Sequence, residues 1–276
     1  MGNRQSIITL LTDFGNQDYF VGAMKGVILS INPTVHVVDI SHEIPPQDIE
    51  AAAFALLCCY QNFPAGTIHV AVVDPGVGSD RKPTLIECAH QVFVGPDNGL
   101  FSWICEREPT WSAIQLTNER FFRHPVSRTF HGRDIFAPVA AALSKGTSPQ
   151  EFGGPLTDVV RLDSLQVKSV NESTIEGRII HIDRFGNCVT NLTAADLSSK
   201  ELASSWRLVL NDREIDSLRQ FFAEDQSGEV FCTVGSAGFL ELAARNDSAA
   251  RILDAKRGQS LLLVSSPMTR VRARLS

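Results

Sequence analysis

The stretch Asp74-Pro-Gly-Val-Gly-Ser-Asp-Arg81 sets a carboxylate, two turn glycines and an arginine directly after the apolar run 70–73. Strand ends followed by glycine-rich turns are where α/β proteins build ligand sites. This turn can swing Arg81 back onto Asp74. Taken alone, it is equally a plain tight turn with one solvated ion pair. The scheme recurs, however, in Thr12-Asp-Phe-Gly15, Pro96-Asp-Asn-Gly99, His131-Gly-Arg-Asp134 and Asp183-Arg-Phe-Gly-Asn187. Five such junctions are expected to converge on one site. A carboxylate at a strand end suits a ribose diol, because it can accept from two hydroxyls. An Asp, Arg and His trio suits the control of a water molecule. Histidine would act as base, arginine as the charge that favours hydroxide, and aspartate as the orienter. The many aspartates also suit magnesium, which makes a metal-dependent phosphohydrolase the rival chemistry.

Composition narrows the classes. The 276 residues are 43% hydrophobic and 20% charged, as in a folded globular chain. A net charge of -6 argues against nucleic acid as a partner, since phosphate binding needs a basic stripe. Arg123, Arg128 and Arg133 cluster, but among His and aromatic residues, and read as site or surface groups. No apolar run reaches membrane-spanning length. The head of the chain, Met1-Gly-Asn-Arg-Gln-Ser6, has no signal-peptide pattern and fits only the loose myristoylation motif, without a polybasic companion. The six cysteines lack metal-ligand spacing and read as reduced residues of a cytoplasmic protein, with Cys188 set apart by its place in the late motif. There is no Gly-x-Ser-x-Gly elbow and no phosphate loop of the Gly-x-x-x-x-Gly-Lys type.

The elements that must position these groups follow from periodicity. Strands are expected at 7–12, 35–40, 67–73, 84–88 and 91–94. Helices are expected at 19–31, 48–60 and 135–144. This alternation predicts an α/β domain with a mainly parallel sheet over residues 1–160. After it, strands at 167–182, 206–210, 229–234 and 260–264 have little helix between them. They predict a smaller all-β, barrel-like domain over residues 168–276.

Taken together, Thr12-Asp-Phe-Gly15, Asp74-Pro-Gly-Val-Gly78 with Arg81, Pro96-Asp-Asn-Gly99, His131-Gly-Arg-Asp134, Phe185-Gly-Asn187 and Ser236-Ala-Gly-Phe-Leu240 resemble one family in type and order. These are the S-adenosyl-L-methionine (SAM) hydrolases that form adenosine, also called SAM hydroxide adenosyltransferases. They are relatives of the SAM-dependent fluorinase and chlorinase. The resemblance covers about residues 7 to 265. It implies hydrolysis of SAM to adenosine and methionine, with SAM as substrate and no cofactor or metal. It further implies a homotrimer that binds SAM between the N-terminal domain of one subunit and the C-terminal domain of the next. By the same resemblance, Asp74, Arg81 and His131 are the catalytic trio and Asp13 holds the ribose. Asp18 and Asp183 lie near the methionine ammonium, Asn187 binds adenine, and Ser236 contacts the methionine end. The halogenases lack the trio, which favours water over halide. A non-catalytic SAM or nucleoside sensor would keep Asp13 and Asn187 while the trio does nothing. The chain departs from the halogenases at Ala237, where they carry Arg and where Arg184 is a candidate replacement. It also departs at Gln47 and Val189, where they carry Trp, and over residues 243–248.

Overall fold

The apolar run near the head of the chain forms strand β1 (Ile7–Thr12), and the helical spacing after it forms α1 (Phe20–Ile31). Val21, Met24 and Ile28 are the buried stripe of α1. The helix stops at Asn32, which is extended as expected for a residue before proline. Strand β2 (His36–Ser41) leads to α2 (Ile49–Cys59), capped by the Asp48 side chain, which accepts from the Ala51 amide at 2.9 Å. Then come β3 (Ile68–Val72), β4 (Pro83–Cys88), β5 (Gln91–Pro96), α3 (Ser102–Arg107), β6 (Trp111–Gln115) and α4 (Ala137–Ser144). In the computed structural model, residues 6–197 and 206–265 are described. The myristoylation-like stretch at 1–5 and the end of the expected C-terminal domain, 266–276, lie outside them.

The first sheet has the order β2-β1-β3-β5-β4-β6. β2, β1, β3 and β5 are mutually parallel, and only β4 runs the other way. This is the expected α/β domain. Thr12, Val72 and Pro96, the ends of β1, β3 and β5, therefore share one edge of the sheet. Ile8, Leu10, Val70, Val72 and Val94 form a core with Met24 and Ile28 of α1 and Val139 and Ala140 of α4. A first compact unit ends at Ser164 and a second begins at Leu165.

In the second unit, the segment expected as one strand over 167–182 is a hairpin of β7 (Lys168–Asn171) and β8 (Thr174–Ile182). Asn171 makes the turn: its side-chain oxygen accepts from the Ser173 amide at 2.9 Å and from the Ser173 hydroxyl at 3.1 Å. The other strands are β9 (Cys188–Thr193), β10 (Trp206–Leu210), β11 (Arg213–Ile215), β12 (Val230–Val234), β13 (Phe239–Ala244) and β14 (Ser260–Ser265). Two short helices complete the unit, α5 (Ala194–Leu197) and α6 (Ala249–Leu253). All pairs along the order β11-β10-β14-β8-β9-β13-β12 are antiparallel, and a bridge from Leu218 to Cys232 joins the segment after β11 to β12. The result is the expected barrel-like sheet around Ile179, Leu192, Leu208, Leu240, Leu242 and Leu263.

Candidate active site

At the β3 end, Asp74 and Arg81 close on each other. Arg81 Nε donates to Asp74 Oδ1 at 3.0 Å, and Nη2 reaches Asp74 Oδ2 as the second arm of a fork. The same Nη2 lies 3.0 Å from His131 Nδ1. A guanidinium only donates, so His131 Nδ1 accepts and the ring proton sits on Nε2. Side-chain exposure is 4% for Asp74 and 7% for Arg81, and the guanidinium lies 5.6 Å from the Phe136 ring centroid. Burial pushes the Asp74 carboxyl up, while Arg81 pulls it back. Burial, then the Arg81 charge, holds His131 below its usual 6.5. Arg81 Nη1 is buried with no hydrogen-bond partner among the described residues.

Local structure explains why the trio meets. Gly78 has φ +78°, and a Cβ there would lie 2.2 Å from the Arg128 carbonyl oxygen. Only glycine lets the 74–81 turn press on the segment that carries His131. His131 opens a π-helical turn, Gly132–Phe136, ahead of α4, so the ordered structure starts earlier than the expected 135. Such turns often mark functional sites. Phe130, Ile135 and Phe136 anchor that turn in the core. Fully buried Asp134 pins the loop: it accepts from Arg133 Nε at 2.7 Å, from Arg123 at 3.3 Å and from the Ser127 amide at 2.9 Å. Arg123 and Arg133 are therefore structural partners of Asp134.

Asp13 stands on the same sheet edge and is near enough to Asp74 to raise its carboxyl further. Its Oδ2 accepts from the Gln47 amide at 2.8 Å. Gln47 holds φ +66°, a conformation rare for a side chain of its size. Phe14 packs edge-on against Phe130 with centroids 6.0 Å apart, which ties the Asp13 turn to the His131 turn. Asp18 is exposed, with no hydrogen bond or ion pair among the described residues. From the third junction, Asn98 donates to the Val73 carbonyl at 2.8 Å and steadies the strand before Asp74. Among the described residues Asp97 makes no hydrogen bond to this group; it accepts from the Val160 amide at 3.0 Å, and Arg81 is near enough to act on its charge.

In the second unit, Asp183 and Asn187 form one closed loop. Asp183 Oδ1 accepts from the Phe185 and Asn187 amides, both at 2.9 Å, and Oδ2 accepts from Asn187 Nδ2 at 2.8 Å. With its amide nitrogen committed, Asn187 keeps Oδ1 as an acceptor. Gly186, at φ +86°, lies so close to Ser248 that a Cβ would sit 2.1 Å from its hydroxyl oxygen. A cavity of about 560 Å³ is lined by Phe185, Asn187, Phe222, Ala244 and the 246–248 turn. Phe185 is 77% exposed and Phe222 is 47% exposed, so two aromatic faces are on offer. Ser236 is exposed on the Gly235–Gly238 turn, and Arg184 is exposed and unpaired among the described residues. Cys188 is fully buried, and burial followed by Asp183 pushes its thiol up to about 11, so it is no nucleophile.

Sequence reasoning missed three groups. Phe222 precedes its strand in an irregular segment and carries no motif. His42, whose ring meets Thr12 beside the Asp13 turn, sits in a run that reads as an ordinary strand end. Glu241 lies on β13 with its carboxyl against Gly235, raised by burial and then by Asp183. Its alternation with Leu240 and Leu242 was the available signal. Among the described residues, no three His, Cys, Asp or Glu side chains converge to hold a metal ion.

Two domain families match the chain. The SAM hydroxide adenosyltransferase N-terminal domain matches residues 8–153, and the SAM hydroxide adenosyltransferase C-terminal domain matches residues 177–262. A Methanocaldococcus jannaschii protein named (R)-S-adenosyl-L-methionine hydrolase is 36% identical over 261 residues, covering 90% of this chain and 92% of its own. A fluorinase of Actinoplanes is 26% identical, over 87% of this chain and 91% of its own. The solved structure of an uncharacterized conserved protein from Thermotoga maritima superposes with a TM-score of 0.86 at 33% identity, covering 93% of this chain and 99% of that one.

Proposed function

The chain belongs to the SAM hydroxide adenosyltransferase family, and we propose that it is an enzyme that hydrolyses S-adenosyl-L-methionine to adenosine and L-methionine. Hydroxide, formed as a water molecule loses a proton to solvent, bonds to ribose C5′ as the C5′–S bond breaks in line behind it. The electron pair of that bond leaves on sulfur, and methionine departs as a neutral thioether. No acid is needed for the leaving group, so the whole difficulty lies in the nucleophile. The contact of Arg81 with both Asp74 and His131 is the observation that carries this reading.

In this reading Arg81 Nη1 and His131 Nε2–H donate to hydroxide and hold it on the attack line. Asp74 orients the guanidinium and balances its charge. Because His131 Nδ1 is engaged by Arg81, the ring is better placed to hold hydroxide than to take a proton from water. Bringing hydroxide to a sulfonium cancels charge, which exclusion of water makes more favourable. Asp13, fixed by Gln47, would accept from the ribose hydroxyls. Asn187 Oδ1 would accept from the adenine amino group between Phe185 and Phe222. Asp183 and Asp18 would face the methionine ammonium, and Ser236 the methionine end. Incubation with SAM and chromatography of the products tests the reaction. Adenosine and methionine are expected; methylthioadenosine, or no consumption of SAM, would overturn it.

We further propose a homotrimer in which the first unit of one subunit meets the second unit of its neighbour at SAM. Support comes from the division of ligand groups: the trio and Asp13 lie in one unit, and Asp183, Asn187 and Ser236 in the other. A head-to-tail contact used three times closes into a ring. Mixed Asp74→Ala and Asn187→Ala chains, assayed at limiting SAM where each alone is impaired, should gain activity after subunit exchange; a fully active monomer would refute this assembly. We place the protein in the cytoplasm, a reading supported by six cysteines that form no disulfide.

A further inference from the structure

Asp39, His42 and Thr12 form a second acid–imidazole–hydroxyl arrangement, apart from the trio. Thr12 Oγ1 lies 2.8 Å from His42 Nδ1 and also accepts from the Phe14 amide at 3.2 Å. With the ring proton on Nε2, beside the Asp39 carboxylate, His42 Nδ1 accepts the Thr12 hydroxyl hydrogen. His42 Nε2 lies 3.0 Å from Asp39 Oδ1, an electrostatic contact rather than a well-aligned hydrogen bond. Asp39 Oδ2 in turn meets Lys25 Nζ at 2.6 Å. Burial alone would push the Asp39 carboxyl up, but Lys25 and His42 hold it below its usual value.

Thr12 is 0% exposed, and its hydroxyl is committed on both sides, so it cannot attack a substrate. What the arrangement does instead follows from where it grips. The His42 ring holds Thr12, before Asp13; the His42 carbonyl accepts from the Gly15 amide at 2.8 Å, after Asp13. Thr12 itself holds the amide of Phe14. One buried residue thus clasps the Asp13 turn from both sides, while the Gln47 amide fixes the carboxylate oxygen.

We propose that His42 and Thr12, with Asp39 beside the outer ring nitrogen, form a positioning relay whose working contact is His42–Thr12 and which aims the Asp13 carboxylate at the ribose diol of the nucleoside. This rests on the reading of Asp13 as the ribose-binding group. The loss on breaking the relay is confined to ligands that carry the diol. His42 is a positioning residue and touches no reacting atom.

The test compares dissociation constants of adenosine and 2′,3′-dideoxyadenosine by calorimetry. Wild type should favour adenosine by about tenfold or more, as hydrogen bonds to a charged acceptor imply. His42→Leu and Thr12→Val should both reduce that preference to about threefold or less. In His42→Asn the side-chain oxygen can take the Thr12 hydroxyl near the place of Nδ1, and the preference should be retained. Thr12→Val is nearly isosteric and carries the test if His42→Leu does not fold. Wild type without any preference would overturn the ribose reading itself. A wild-type preference that survives intact in Thr12→Val, or equal weakening of both ligands in it, would overturn the relay alone.

Discussion

The two loops proposed to meet the substrate, 74–81 and 183–187, solve one problem in opposite ways. Each must keep a carboxylate at a strand end without full solvation. Asp74 is met by a cation from its own turn, and that cation also reaches His131. Asp183 is met by backbone amides and by the Asn187 side chain, while the loop's own cation, Arg184, is exposed and does not pair with it. The first solution leaves a charged group with a spare N–H, suited to holding an anion. The second leaves a stiff loop with a spare acceptor, suited to reading a base. Substitutions in the first loop should therefore act on turnover, and substitutions in the second on affinity.

The largest expected effect is at Arg81. Arg81→Ala removes the donor to hydroxide and should lower kcat about 10²–10³-fold, while the adenosine dissociation constant stays within about twofold. Calorimetry beside steady-state kinetics checks the split, with circular dichroism to confirm folding, because Asp74 loses its counter-charge. Equal losses in kcat and in adenosine affinity would break the contrast.

The glycines give a matched pair. Gly78→Ala and Gly186→Ala each force a Cβ into a contact near 2 Å at positive φ. Each should cost about 1–3 kcal/mol of stability by chemical denaturation. Gly78→Ala should also reduce kcat through the displaced Arg128–His131 segment, and Gly186→Ala should weaken adenosine binding by opening the Asn187 loop. A third substitution, Asn187→Ala, should raise the adenosine dissociation constant about tenfold and leave kcat at saturating SAM nearly unchanged.

The smallest effect is in the pH profile. His131 must stay neutral to accept from Arg81, and burial with the Arg81 charge keeps its proton affinity low. The acid limb of kcat should therefore lie below pH 6.5. Arg81→Gln takes away the repelling cation and unmasks Asp74. Both changes favour protonated His131, so the limb should move to higher pH. A limb that stays in place would show that His131 does not set it.

The sequence made the first loop far easier to read than the second. The alternating strands and helices of the first unit follow from apolar periodicity, and α1, α2 and β3 lie within a residue or two of expectation. The return of Arg81 to Asp74 follows from two glycines between them. By contrast, α3 and β6 were missed, because Ser102–Arg107 is a single short turn of helix and Trp111–Gln115 has little alternation. In the second unit β9 and β13 were absorbed into motifs read for their chemistry. The β7–β8 hairpin was hidden because its turn uses Asn171 and Ser173 rather than glycine. His42 was silent for a different reason: its partners are 30 residues away and three residues away, and only folding brings both to its ring.

The central claim is that water-derived hydroxide, held by Arg81 and His131, attacks ribose C5′ of SAM. The most direct measurement is a turnover in ¹⁸O-labelled water, followed by mass spectrometry of both products. The account predicts one heavy oxygen on the 5′-hydroxyl of adenosine and none in methionine. Unlabelled adenosine, or methylthioadenosine in its place, would contradict it.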